Sequence, residues 1–112
     1  MVDAIDKSDA AISYTVERCK GLTVEAIQGD FREFNFRPNY YALAVAINAL
    51  PFVKKEECGV LLKSVQGSLK PDGAAVITVY GHEHAWAKRP DMSFWTLDEF
   101  KALWEGWNVL AM

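Results

Sequence analysis

An aspartate ends the first apolar run of the chain, and its position suits the recognition of a sugar. Val2, Ala4 and Ile5 lead into Asp6, as in a short strand that closes on a carboxylate. In α/β folds that bind nucleotides, an acid at the end of a strand accepts hydrogen bonds from the ribose hydroxyls. An ionised carboxylate suits this task because it offers two oxygens to two donors. The alternative is an ordinary turn or helix-capping aspartate, which is also common.

The elements that must position such a residue alternate between strands and helices. Ser8 is a predicted N-cap for a helix that stops at Gly21, and Thr96 with Glu99 forms a predicted capping box. A continuously apolar strand, buried on both faces, is expected over Tyr41–Ile47. Further predicted elements are strands over Val2–Asp6, Thr23–Ile27 and Ala74–Tyr80, a helix over about Lys54–Leu69, a turn at Lys70–Gly73, and a strand over Asn108–Ala111.

This alternation predicts an α/β fold of the partial Rossmann-like kind, with a mostly parallel sheet of about four strands flanked by helices. Parallel strands joined through helices require right-handed crossovers. The chain has 112 residues, of which 51% are hydrophobic. That size is sufficient for one hydrophobic core, so we expect a single domain over residues 1–112.

Charge and hydropathy argue against several classes of partner. The net charge is -3 and no run of Lys or Arg occurs, so neither nucleic acid nor an anionic membrane surface is indicated. The longest apolar stretch, Tyr40 to Val53, contains Asn48 and Pro51 and is too short for a membrane span. Asp3 and Asp6 stand where a signal peptide would be cationic and then apolar, which predicts a cytoplasmic protein.

The two cysteines have no predicted chemical role. Cys19 and Cys58 fall on the apolar faces of two predicted helices and lack the spacing of metal ligands. We expect buried, reduced thiols.

Several short pieces, in this order and spacing, resemble the S-adenosylmethionine-dependent methyltransferases of the Rossmann-like class, and within them the tellurite-resistance type. The Lys-Pro-x-Gly turn before the last predicted strand favours a methyltransferase over a nicotinamide-dependent dehydrogenase. The matching pieces are Ala4-Ile5-Asp6-Lys7-Ser8, Val16-Glu17-Arg18, Gly29-Asp30-Phe31, Asn48-Ala49-Leu50, Leu69-Lys70-Pro71-Asp72-Gly73 and Trp104-Glu105-Gly106-Trp107.

The resemblance implies S-adenosylmethionine as the cofactor and assigns roles to the matching residues. Asp6 is similar to the acid that accepts both ribose hydroxyls, and Asp30 to the acid that reads the adenine amine while the backbone amide of Phe31 meets a ring nitrogen. The cofactor-binding residues implied in this way are Asp6, Lys7, Asp30, Phe31, Asn48 and Ala49. Asn48 and Ala49 stand where similar proteins contact the methionine part of the cofactor.

The loop after the last predicted strand would face the methyl acceptor in similar proteins. Tyr80, His82, His84 and Trp86 are therefore the expected acceptor-side residues, although Trp86 could equally serve packing. His82 and His84 flank Glu83 like part of a metal site, but no third acid or thiol accompanies them, so we predict no metal. The resemblance implies a small-molecule acceptor and assigns no catalytic residue.

The chain departs from the family pattern in two respects. The smaller is Tyr41, which stands where the resemblance implies an Asp after Tyr40, and the larger concerns glycine. No Gly-x-Gly motif occurs in it, and the family's first strand and glycine-rich turn have no counterpart before Val2. We therefore expect a truncated domain that holds at most the adenosine half of the cofactor when alone.

In this fold the absent strand would lie between the second and fourth strands, so its loss must be compensated. Val2–Ile5 could shift to pair with Ala42–Ile47, or a partner chain could complete the sheet; we favour a homodimer. Two functional hypotheses remain. One is a methyltransferase made competent by a partner chain, and the other is a non-catalytic dimeric binding or interaction module derived from a methyltransferase.

Overall fold

A computed structural model describes residues 1–110 of the chain. They form two compact units, one over Met1–Asn35 and one from Phe36 onward. The elements are the strands β1 (Val2–Asp6), β2 (Val24–Gln28), β3 (Tyr41–Ala46), β4 (Leu69–Ile77), β5 (Tyr80–Gly81) and β6 (Phe94–Trp95), the helices α1 (Asp9–Arg18), α2 (Lys55–Ser68) and α3 (Leu97–Leu103), and a 3-10 turn at Leu50–Phe52.

The first unit is a strand, a helix and a second strand. β1 and β2 pair in parallel, with Val2 beside Val24 and Asp6 beside Gln28. α1 connects them and starts as the sequence predicts, because the Ser8 side chain accepts a hydrogen bond from the Ala11 amide. The parallel pairing brings the carboxyl ends of both strands to one edge of this small sheet.

The second unit contains the hydrophobic core. β3 and β4 pair in parallel, with Val45 beside Val76, and β5 pairs with β6. The apolar face of α2, on which Cys58 was predicted to lie, is buried through Cys58, Leu61 and Leu62. The other buried apolar side chains of the core are those of Leu50, Val53, Leu69, Met92, Phe94, Trp95 and Trp104.

The predicted turn at Lys70–Gly73 is part of a bulged β4. The register shifts between Tyr41 and Leu43, which pair with Leu69 and Ala74 respectively, so four residues of β4 are absorbed against one of β3. Gly73 permits this path, because a Cβ there would lie 2.9 Å from the Lys70 carbonyl oxygen.

Two burial predictions are wrong. Tyr41–Ile47 is not buried on both faces, since Leu43 and Val45 are 54% and 60% exposed. Likewise, α1 was predicted to have an apolar face that includes Cys19, yet it has no buried residue, and its Val16 is 55% exposed. Sequence periodicity marks which residues share a face, but it does not show that a neighbour is present to cover it.

The cysteines and the C-terminal residues differ in part from what the sequence predicts. Both cysteines are free, as expected; Cys58 is buried, whereas Cys19 is only half-buried. Residues 108–110 carry no regular structure, so that part of the strand predicted over Asn108–Ala111 is wrong, and Ala111 lies outside the described residues.

The predicted α/β fold class is confirmed, while the six strands of residues 1–110 pair as three two-stranded sheets where one sheet of about four strands was expected. Short parallel strands alternate with helices, and the capping box of Thr96 and Glu99 is fully formed at the start of α3. Among residues 1–110, none of the helices has the length and apolar character that a membrane crossing requires.

Candidate functional site

Asp6 and its neighbours form the first part of the candidate site, at the carboxyl ends of β1 and β2. Asp6 Oδ1 accepts the Ser8 amide at 2.8 Å, which turns the chain from β1 into α1. The Asp6 carbonyl accepts the Gly29 amide at 2.9 Å, and the Gln28 side chain donates to the Lys7 carbonyl at 3.3 Å. These bonds hold the two strand ends together while the Asp6 side chain stays at an exposed position.

Asp30 stands in the same group, but its carboxylate already has partners. Arg32 Nε lies 2.9 Å from Oδ1 and 3.0 Å from Oδ2, and the Arg32 amide donates to Oδ1 at 2.9 Å. Lys7 Nζ is 3.6 Å from Oδ2. The hydrogen bonds from Arg32 hold the pKa of Asp30 well below its usual range. Asp30 is therefore a fixed anion.

The structure thus places the four predicted cofactor residues of the first unit together. Asp6, Lys7, Asp30 and Phe31 all lie at the carboxyl ends of β1 and β2, where ligands of open parallel sheets bind. Two carboxylates at this edge suit a ligand rich in hydroxyl and amine donors. Arg32 completes the group and was not predicted. Its spacing of two residues from Asp30 is the one signal that could have indicated it.

In the second unit, Asn48 and Ala49 follow the carboxyl end of β3. Asn48 has a φ of 55°, a left-handed conformation that asparagine adopts more readily than most residues. Both side chains are exposed, and the turn that follows is held by Ser93, whose hydroxyl donates to the Leu50 carbonyl at 3.0 Å. Ser93 is buried and was not predicted; nothing in the sequence around it indicates this role.

Three of the four predicted acceptor-side residues, Tyr80, His84 and Trp86, form one aromatic cluster, and His82 lies outside it. The rings of Tyr80 and His84 stack 4.4 Å apart and nearly parallel, and the Trp86 ring lies 5.2 Å from that of His84. The Trp86 amide donates to His84 Nδ1 at 3.1 Å, so a neutral His84 carries its proton on Nε2. Phe52, from the turn after β3, reaches the Tyr80 ring at 6.2 Å.

An open cleft of about 310 Å³ begins beside this cluster. Its lining includes Tyr80, His82, Trp95 and Phe100. His82 Nε2 is 3.8 Å from the Glu83 carboxylate, which is almost fully exposed. The lining is mostly apolar, as in many small-molecule sites. Residues 1–110 contain no group of three or more His, Cys, Asp or Glu side chains placed to hold a metal ion.

Comparison with known proteins gives the family. A family model described as a methyltransferase domain matches residues 1–73. No curated protein sequence matches.

Solved structures support the same fold. A SAM-dependent methyltransferase from Leishmania major superposes with a TM-score of 0.73 and 17% identity, covering 91% of this chain and 42% of the other. A protein from Pyrococcus horikoshii OT3 superposes with a TM-score of 0.58 and 25% identity, covering 71% of this chain and 36% of the other. The chain thus spans about two fifths of the length of these relatives. Since the family model matches well over half of its residues, the protein belongs to the methyltransferase domain family.

Proposed function

We propose that this chain binds S-adenosylmethionine through the carboxyl ends of β1 and β2 and serves the methylation of a small molecule. The observation that carries the proposal is the position of Asp6 and Asp30 at one sheet edge, within the family match. Asp6 would accept the ribose hydroxyls. Asp30 would take the adenine amine, and the Phe31 amide would meet the ring.

The residues present fit the adenosine half of this cofactor. Asp6 Oδ1 is used by the Ser8 amide, while the carboxylate as a whole has more acceptor sites than that one bond occupies. Asp30 can accept the adenine amine after its hydrogen bonds with the Arg32 guanidinium break. The family resemblance assigns the methionine half to Asn48 and Ala49, which belong to the second unit. When bound, the cofactor supplies an electrophilic methyl group, and methyl transfer depends chiefly on alignment of the two reactants.

The aromatic cluster around Tyr80 supports a small, flat or apolar methyl acceptor. Its rings offer stacking surfaces, and the cleft beside it is open to solvent and mostly apolar. Neutral His84 carries its proton on Nε2. It would donate this proton in a hydrogen bond to a lone pair of the methyl acceptor and so orient that molecule. The tellurite-type resemblance agrees with a small acceptor.

A second candidate function is a binding or interaction module without catalysis. Two observations favour it: the chain has no Gly-x-Gly motif, and one face of the β3–β4 pair exposes aliphatic side chains. Glycine allows a backbone to approach a ligand closely, so without that motif contacts to the methionine half would be weaker. Under this hypothesis the chain has no methyltransferase activity, with or without a partner that completes the sheet.

Calorimetric titration with S-adenosylhomocysteine tests the cofactor proposal. Asp6→Asn keeps an oxygen for the Ser8 amide but removes the charge, so the turn is preserved. We expect the substitution to weaken binding by roughly 10-fold to 100-fold, as for the loss of hydrogen bonds to a charged group. Asp72→Asn, an exposed substitution in β4, is the control and should bind as the wild type does. Equal binding by all three proteins, or no binding at millimolar ligand, would exclude this site.

A further inference from the structure

One face of the β3–β4 pair is an exposed aliphatic surface. Leu43, Val45, Ile47 and Val76, which we call the aliphatic face, are 54%, 60%, 55% and 51% exposed. Alternate residues of a strand point to the same side, and Val45 is the register partner of Val76, so Leu43, Val45 and Val76 lie together. Ile47 follows directly after the end of β3. The intervening residues Ala44 and Ala46 are half-buried, so this side is the more open one over the second half of β3.

The outer edge of β3 is open as well. The Ala46 carbonyl accepts the Thr78 amide at 2.9 Å, so this residue directs its backbone toward β4. Alternate residues of a parallel ladder direct their backbone groups to opposite sides, which turns those of Leu43 and Val45 away from β4. In the described part of the chain this sheet has two strands, so that edge lacks a strand partner.

The charge pattern of this surface distinguishes it from ordinary exposed strands. No charged residue occurs from Tyr40 to Val53 or from Gly73 to Gly81, and the charged residues of β4, Lys70 and Asp72, lie in its bulged first part. Natural proteins usually protect open strands with lysine, proline or inward-pointing charge, and contiguous exposed apolar groups are typical of interaction sites. A surface without charge meets no like-charge repulsion from its own copy, and it offers nothing to select a charged partner.

We infer that a second copy of this chain covers the aliphatic face, with the two β3–β4 pairs packed face to face about a two-fold axis. Such an interface is self-complementary, because each copy contributes the same four side chains. A standard stable interface buries roughly 800 Å² on each partner, and four half-exposed aliphatic side chains supply less. The expected dimer is therefore reversible and depends on concentration.

Sedimentation equilibrium from roughly 1 to 100 μM chain tests this inference. Val45→Lys places a charge in the centre of the aliphatic face. Val60→Lys is the matched control, because Val60 is 69% exposed on α2 and outside that face. We expect the wild type and Val60→Lys to approach twice the monomer mass with rising concentration. Val45→Lys should dissociate at least 10-fold more readily.

Val76→Lys is a second substitution in the same face, and it provides the test if Val45→Lys does not fold. Far-UV circular dichroism establishes whether each variant is folded. The inference is overturned if the wild type stays monomeric across the range. It is equally overturned if folded Val45→Lys and Val76→Lys associate as Val60→Lys does. Because the measurement uses no cofactor, its outcome is independent of the proposed methyltransferase function.

Discussion

The Arg32 guanidinium bridges both oxygens of the Asp30 carboxylate, with Nε 2.9 and 3.0 Å from them. The same carboxylate is the residue proposed to take the adenine amine. Arg32 and an adenine amine would therefore compete for the same acceptor oxygens. The pair is partly exposed, since the Arg32 side chain keeps 35% of its surface, and exposed ion pairs contribute only about 0.2–1 kcal/mol.

Removing the guanidinium is therefore expected to tighten nucleoside binding. Arg32→Gln should bind S-adenosylhomocysteine about 2-fold to 5-fold more tightly than the wild type, the ratio that corresponds to such a pair. Calorimetry measures the dissociation constants, with Arg37→Gln as a control that keeps the Asp30 pair. Weaker binding by Arg32→Gln would show instead that the guanidinium contacts the ligand.

Salt gives an independent check on this competition. Raising the ionic strength screens the Arg32–Asp30 attraction. The affinity of the wild type should rise with salt, while that of Arg32→Gln should change less. Parallel salt curves for the two proteins would contradict the competition.

Substitutions of Asn48 distinguish the role of its backbone conformation from the role of its side chain. Its φ of 55° costs alanine roughly 1–2 kcal/mol but costs glycine little. Asn48→Ala should therefore lower the free energy of unfolding by about that amount, and Asn48→Gly by less. Urea unfolding of the two variants measures the difference, and equal stabilities would argue against a left-handed Asn48.

The same two variants test the proposed contact with the cofactor. If the Asn48 side chain contacts the ligand, both should bind S-adenosylhomocysteine more weakly than the wild type. If only the backbone shape matters, Asn48→Gly should retain the wild-type affinity. The second result would remove the Asn48 side chain from the proposed site while leaving its turn in place.

The elements were largely predictable because their signals are local. Ser8 and Thr96 cap helices through bonds to residues three positions along, so their sequence neighbourhood contains the evidence. Burial was less predictable because it depends on distant parts of a fold. The apolar run around Val45 has the composition of a doubly covered strand, yet one face is exposed.

The sequence was sufficient to predict where the site residues lie in the fold, but not which side chains they contact. The ends of β1 and β2 meet because parallel pairing requires it, which brings Asp6 and Asp30 to one edge. Two contacts depend instead on where side chains lie in the folded protein. They are the hydrogen bonds from Arg32 to Asp30 and the hydrogen bond from Ser93 to the Leu50 carbonyl. Ser93 lies 43 residues from Leu50 in the sequence, and no local pattern links such a pair.

Alanine substitutions at Gly73 and Gly67 should change the stability in opposite directions. A Cβ at Gly73 would lie 2.9 Å from the Lys70 carbonyl oxygen and 3.1 Å from Leu69 Cβ, so Gly73→Ala should cost about 1–3 kcal/mol of unfolding free energy. Gly67 lies within α2 and has no such neighbour within 4 Å. Gly67→Ala should therefore stabilise the protein by up to about 1 kcal/mol. Chemical unfolding measures both changes, and a shift of the same sign in both would contradict the bulged path of β4.

Acid should weaken the start of α3 through Glu99. Its carboxylate pairs with Lys55 and accepts the Thr96 amide, and these bonds lower its pKa from 4.5 to about 2. A carboxyl group whose pKa is lowered by folding stabilises the folded state above its unfolded pKa. That contribution is complete above about pH 4.5 and is lost as the pH falls toward 2. Glu99→Gln should have a flatter dependence of its urea midpoint on pH in this window than the wild type. Glu105→Gln serves as the control with the wild-type slope, and identical slopes in all three proteins would show that the Glu99 pair does not persist in solution.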